Sequence, residues 1–164
     1  MKQQLLKIIF LGSVALLLTA CKTAVVTSPA GLRYEMECAG VGVQGTYLVK
    51  VWAYGSERDI NIDLLKRYAV HGVIFRGYTG KSGCPSQRPM ASSPALEQER
   101  ANFFGPFFDI DRAYNKYASD AGGGLDRIRV GNEYKIGKVI TVSKDLLRRD
   151  LEAAGVIRGL ADGF

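Results

Sequence analysis

The chain has 164 residues, 47% of them hydrophobic and 23% charged, with a formal net charge of +6. That length admits one compact domain, or one domain with a targeting segment, and the composition excludes disordered, collagen-like and coiled-coil chains. Nineteen Gly against five Pro point to turns and bulges in a β-containing domain, and three Cys are too few for a disulfide-built miniprotein.

Lys2 and Lys7 precede an apolar run from Ile8 to Leu18, broken only by Gly12 and Ser13. Charge, a short apolar core and small residues before a cut are the pattern of a secretory signal peptide, and the run is too short for a comfortable membrane span. Leu18-Thr19-Ala20-Cys21 follows. These four residues resemble the lipobox of bacterial lipoproteins. The resemblance implies cleavage before Cys21, a diacylglycerol on its sulfur, acylation of the new amine, and stable membrane anchoring by two or more acyl chains. An ordinary signal peptide with a cysteine at that place is the alternative. Lys22, where many lipoproteins retained at the inner membrane carry Asp, directs the expectation to the outer membrane. The resulting organisation is a leader over 1–20, a lipidated N-terminus and tether over 21–31, and a single domain over 32–164.

Loss of Lys2 and Lys7 leaves the mature chain at a net charge of +4. Such a mild balance, outside the cytoplasm and without a nucleic-acid motif, excludes nucleic acid as the expected partner. Anionic lipid or acidic glycan stays open. Lipidation of Cys21 leaves Cys38 and Cys84, an even pair in an oxidising compartment, which suggests a disulfide closing a loop of about 45 residues. In the chain-entropy account such a loop contributes about 4 kcal/mol. Two unpaired thiols, or a thiol with His71 as its base, are the competing readings. The Cys and His count falls short of a four-ligand zinc site, and neither a metal nor a cofactor is expected.

In chain order, Tyr34, Met36 and Cys38 alternate with Glu35 and Glu37, which is a half-buried strand with both carboxylates on its solvent face. Gly40-Val41-Gly42-Val43-Gln44-Gly45 satisfies G-x-G-x-x-G literally. A dinucleotide site needs a helix to start there, however, and Thr46 to Tyr54 is rich in β-branched and aromatic residues, so the glycines mark a turn between strands. Residues 61–76 suit a helix capped by Asn61 and ended by Gly77, with His71 beside its apolar face. Residues 78–95, carrying Gly80, Gly83, Pro85, Pro89 and Pro94, form a long loop that Cys84 would staple to the first strand.

Ser93-Pro94 opens a helix expected to run to about Phe108. Phe103, Phe104, Phe107 and Phe108 pair along it across Gly105-Pro106, either as core packing with a proline kink or as an aromatic surface for a partner. Asp109, Asp111 and Asn115 lack the Gly and terminal Glu of a calcium-binding loop. After Gly122-Gly123-Gly124 come a short strand over 127–130, a turn at Gly131-Asn132 and a second long strand to Val142. Ser143 caps a last helix over 144–154, Gly155 ends it, and the tail from Val156 docks on the domain. Asp63-Leu64-Leu65-Lys66-Arg67 recurs as Asp145-Leu146-Leu147-Arg148-Arg149, which hints at two β-β-α halves.

Strands followed by helices, twice, give an α+β fold: an antiparallel or mixed sheet with two to three helices on one face. The stretch from Gly45-Thr46-Tyr47-Leu48-Val49-Lys50-Val51-Trp52 through Lys66-Arg67-Tyr68-Ala69-Val70 resembles envelope lipoproteins of no assigned activity. It is also distantly similar to α+β domains of flagellar-assembly and curli-secretion lipoproteins. That resemblance implies binding and assembly rather than catalysis, and it carries over no catalytic residue. The expected function is therefore a non-enzymatic, lipid-anchored docking or assembly protein of the cell envelope. Its expected contacts to an envelope protein are Tyr78, Lys81 and Arg88 in the loop, with Phe103, Phe104, Phe107 and Phe108. A glycan or peptidoglycan binder is the alternative, and a small hydrolase using a cysteine with His71 is a third reading.

Overall fold

The structure, a computed structural model, describes residues 32–159 apart from Ser82. The leader, Cys21 and the tether lie outside the described residues, as does the tail beyond Gly159. The fold is α+β. Five strands, β1 (Tyr34–Gly40), β2 (Tyr47–Gly55), β3 (Ala118–Asp120), β4 (Asp126–Val130) and β5 (Glu133–Val142), form one antiparallel sheet. The order is β1–β2–β5, and the far side of β5 is shared: its first half pairs with β4 and its last residues with β3.

Alternation along the strands decides the faces. Tyr34, Val49, Val51, Ala53, Ile136, Ile140 and Val142 point inward to one hydrophobic cluster, which also takes Leu65, Ile74, Leu147 and Leu151 from the helices. The outward residues, Glu35, Glu37, Lys50, Trp52, Tyr54 and Lys135, are half-buried or exposed. Lys138 is the exception on the inner face. It is 6% exposed and is satisfied by the Gly123 carbonyl and by Asp120 at 3.0 Å.

Helix α1 (Ile62–Phe75) crosses the sheet from β3 to β1. Asn61 caps it by accepting from the Leu64 amide at 2.9 Å, and Asp63 sits in the first turn where the helix dipole favours an anion. Gly77 ends it with φ +66°, its N–H donating to the Gly72 carbonyl at 2.8 Å. A side chain there would also press on the backbone of Gln87, Arg88 and Pro89, so the glycine serves both the cap and the return of the loop.

The helix expected over 93–108 is broken into pieces, α2 (Leu96–Glu99), α3 (Ala101–Gly105) and a π-helical turn (Pro106–Ile110), and a separate 3-10 turn (Ala113–Lys116) follows. Arg100 at φ −112°, ψ 32° separates the first two, and Pro106, without an N–H, starts the wide turn. Helix α4 (Lys144–Ala153) forms as expected, but Ser143 does not cap it through its side chain. The Ser143 N–H instead donates to the Tyr117 carbonyl at 2.8 Å, and the Asp145 amide donates to Gly45 at 3.2 Å. Val156 and Ile157 are buried against the core. The internal echo has a structural counterpart: hairpin β1–β2 precedes α1, hairpin β4–β5 precedes α4, and β2 and β5 pair at the centre.

Candidate functional site

The end of the sheet where β1 turns into β2 carries an open cleft of about 250 Å³. One wall is the glycine-spaced hairpin loop 40–46. The other is the loop after α1, which contributes Tyr78, Pro85 and Gln87, with Lys144 of α4 at the rim. Each wall is held. Thr46 folds its N–H and hydroxyl back onto the Val43 carbonyl, at 3.0 and 2.7 Å. Tyr78 and Gln87 exchange backbone hydrogen bonds at 2.9 Å, and the Tyr47 hydroxyl donates to the Gln87 side chain at 2.7 Å. A disulfide joins Cys38 at the end of β1 to Cys84, Cα atoms 6.2 Å apart, and so ties the two walls together.

The hairpin tip is unusual in its exposure. Val41 and Val43 are 79% and 77% exposed, the two highest values among the large apolar residues described. Burial pushes the Tyr78 hydroxyl up to about 12 and raises Tyr47, so both phenols enter the cleft wall as neutral hydrogen-bonding groups.

The residues singled out from sequence divide between this cleft and the core. Cys38 and Tyr78 line the cleft, Cys84 ties its outer loop, and Lys81 on that loop pairs with Glu37. Arg88 is exposed on the same loop. Tyr78 itself is only 9% exposed, so its ring supports the wall, with an edge-to-face contact to Tyr47 at 5.7 Å. The aromatic-surface reading of the phenylalanines gives way to the core reading: Phe104, Phe107 and Phe108 are 2%, 6% and 4% exposed. Their rings pack on each other and on Phe75, Tyr114 and Tyr117, with Phe107 and Phe108 both buried on the π-helical turn. Phe103 packs against the same cluster and is partly buried.

His71, 4% exposed, lies between the Tyr34 hydroxyl at 2.5 Å and the Glu97 carboxylate at 3.1 Å. Both thiols of a cysteine–histidine hydrolase are consumed by the disulfide, and this histidine is bonded on both nitrogens. Among the described residues no cluster of three or more His, Cys, Asp or Glu side chains could hold a metal ion, and no helix is long and apolar enough to cross a membrane.

Gln87 lies in the loop that the sequence marked as a contact region, whereas sequence reasoning missed Val41, Val43 and Lys144. Two valines spaced by glycines inside a turn were the available signal, since a turn has no interior to bury them. Comparison with protein-family models, curated proteins and solved structures found no match to this chain.

Proposed function

We propose that this chain is a non-enzymatic, lipid-anchored envelope protein that docks a protein partner at the cleft end of its sheet. The observation that carries this reading is an apolar hairpin tip, Val41 and Val43, beside an open cleft walled by Tyr47, Tyr78 and Gln87. Full burial of an aliphatic side chain contributes about 1.5–3 kcal/mol, so a partner that covers both valines gains from surface the isolated domain leaves in water. The disulfide adds pre-organisation: a loop already fixed in place loses less conformational freedom on binding. The lipobox-like Leu18-Thr19-Ala20-Cys21 supports the anchor and the compartment, and an oxidised Cys38–Cys84 pair suits an oxidising envelope.

The test is site-specific photo-crosslinking in living cells, with the photoreactive residue at Val41 or, in a second variant, at Val43 of the lipidated, tagged protein. The expected result is capture of one or two envelope proteins, absent when the probe stands at Ile128 and lost when Cys21→Ser removes the anchor. Absence of any protein adduct from both Val41 and Val43 overturns the docking assignment.

A further inference from the structure

The outer face of the sheet carries a second arrangement, on the opposite side of β2 from Val49, Val51 and Ala53. Trp52, the one tryptophan of the chain, lies on the central strand β2 opposite Gly137 of β5. Its ring rests directly on that glycine: an added Cβ would meet Trp52 Cδ2 at 2.7 Å. The indole N–H donates to Glu37 at 2.9 Å, which fixes the ring's rotation. Two residues along, on the same face, the Tyr54 hydroxyl donates to Glu35 at 2.5 Å. Same-face neighbours on one strand are about 7 Å apart, so the two rings form a short aromatic track on the outer face.

Charges flank this track in equal numbers. Glu35 pairs with Lys135 at 2.6 Å, Lys50 with Asp126 at 2.6 Å, and Glu37 with Lys81. Lys50 and Lys135 reach over Trp52, with their ammonium groups 4.4 and 5.2 Å from its ring. Arg33, its guanidinium 5.7 Å from the Tyr54 ring, pairs with Glu133 at 2.7 Å. Four cations against four carboxylates give a grid with no net sign, which offers a polyanion or a polycation no overall attraction. What such a grid matches is a ligand that is uncharged, has apolar C–H faces for the rings, and has hydroxyls that donate to carboxylates and accept from ammonium groups. We infer that the outer sheet face, centred on Trp52 and Tyr54, is a binding platform for a neutral saccharide chain. One sugar ring lies on Trp52, where the lysine stems now lie, and a neighbouring unit lies on Tyr54. Lys50 and Lys135 swing aside from Trp52, and Lys135 and Arg33 from Tyr54, to the sugars' rims, where they donate to hydroxyls while Glu35 and Glu37 accept from them.

The single tryptophan makes the test direct. The mature chain is titrated with the hexamers of N-acetylglucosamine and of glucose, and with polygalacturonate as an anionic comparison, while Trp52 emission is followed. The expected result is a saturable emission change with at least one neutral hexamer. Tyr54→Leu and Lys135→Gln are expected to weaken it by about tenfold or more, with far-UV circular dichroism unchanged. Calorimetric titration repeats the measurement without the fluorophore, and there Trp52→Leu abolishes binding. No heat and no emission change with either hexamer overturns the platform. So does a change that both variants leave at full strength, or a preference for polygalacturonate. Capture from Val43 is unaffected by any of these outcomes, so this proposal and the docking assignment fail separately.

Discussion

At the scale of single residues, close approach decides which positions tolerate change. Gly137 admits the Trp52 ring, and that ring is held from the side by Glu37 and from above by Lys50 and Lys135. Gly137→Ala is therefore expected to cost about 1–3 kcal/mol through overpacking, read as a lower denaturant midpoint with an unchanged slope. In a Trp52→Val background the same substitution becomes neutral or mildly stabilising, because Ala suits a strand better than Gly. An equal cost in both backgrounds would show that the ring is not the cause. Gly72 is a contrasting case: its nearest neighbours are Sδ and Cε of Met36, the end of a flexible side chain that can move aside. His71 is constrained by polarity rather than space. In the neutral imidazole, Nε2–H donates to Glu97 and Nδ1 accepts from the Tyr34 hydroxyl. His71→Leu leaves the buried phenol and the carboxylate without their partner, at a cost of about 1–3 kcal/mol in thermal or chemical denaturation. Adding Tyr34→Phe is expected to recover part of that loss, because the orphaned hydroxyl is then gone.

At the scale of elements, the loop and short helices over 78–105 are a strap laid across the end of α1. The disulfide holds its first part, and the Met90 and Ala91 amides hold its middle by donating to Val73 and Ile74 at 3.2 and 2.8 Å. Replacing both Cys38 and Cys84 by Ser is expected to lower stability by about 2–4 kcal/mol. In hydrogen exchange the double variant loses protection at the Tyr78 and Gln87 amides first and keeps it at Met90 and Ala91; uniform loss across the strap would mean that it opens as one unit. The same strap shows where the sequence was legible. Strand alternation and the Asn61 and Gly77 signals mark β1, β2 and α1 to within a residue or two, because each is a local pattern with its own capping or register. The stretch over 93–116 carries no such consistency. Phe103, Phe104, Phe107 and Phe108 would fall on one broad face of an unbroken helix, about 140° wide, so periodicity groups the rings but does not say whether that face meets the core or a partner. The answer lies in the π-helical turn at Pro106, a tertiary outcome. Strand β3 spans three residues and exists only through its pairing with the end of β5. The cleft was half legible. Its cysteine staple and its loop were visible, but the approach of the hairpin tip to that loop needs the register of β1 on β2.

At the scale of the whole molecule, the aliphatic core also takes in buried tyrosines, Tyr34, Tyr68, Tyr78, Tyr114 and Tyr117, and these bear on the behaviour of the protein in alkali. Burial pushes the phenol of Tyr34 well above its ordinary value, Arg76 only partly opposing it. Burial also takes Tyr78 to about 12, and burial together with the hydrogen bond to Asp150 takes Tyr117 to about 12. Tyr47 and Tyr68 are raised in the same way. These groups are spread over β1, β2, α1, the strap and the segment before β3, so their ionisation acts on several elements of the fold at once. The sign follows from linkage. In the unfolded chain each phenol releases its proton near pH 10, whereas in the folded protein each holds it to higher pH, so the unfolded state loses protons first as pH rises. The stabilisation from keeping these phenols neutral is fully present below pH 10 and is lost as pH rises from 10 toward 12. Denaturant midpoints are therefore expected to be flat between neutrality and about pH 9.5 and to fall steeply above pH 10. Phenolate absorbance is expected to develop in two stages, with the buried tyrosines ionising only as the far-UV circular dichroism of the fold is lost. Completion of the phenolate signal below pH 11 with native circular dichroism intact would mean that water reaches these hydroxyls. The tyrosine-lined core, including the Tyr47–Tyr78 wall of the cleft, would then be far more open than its packing implies.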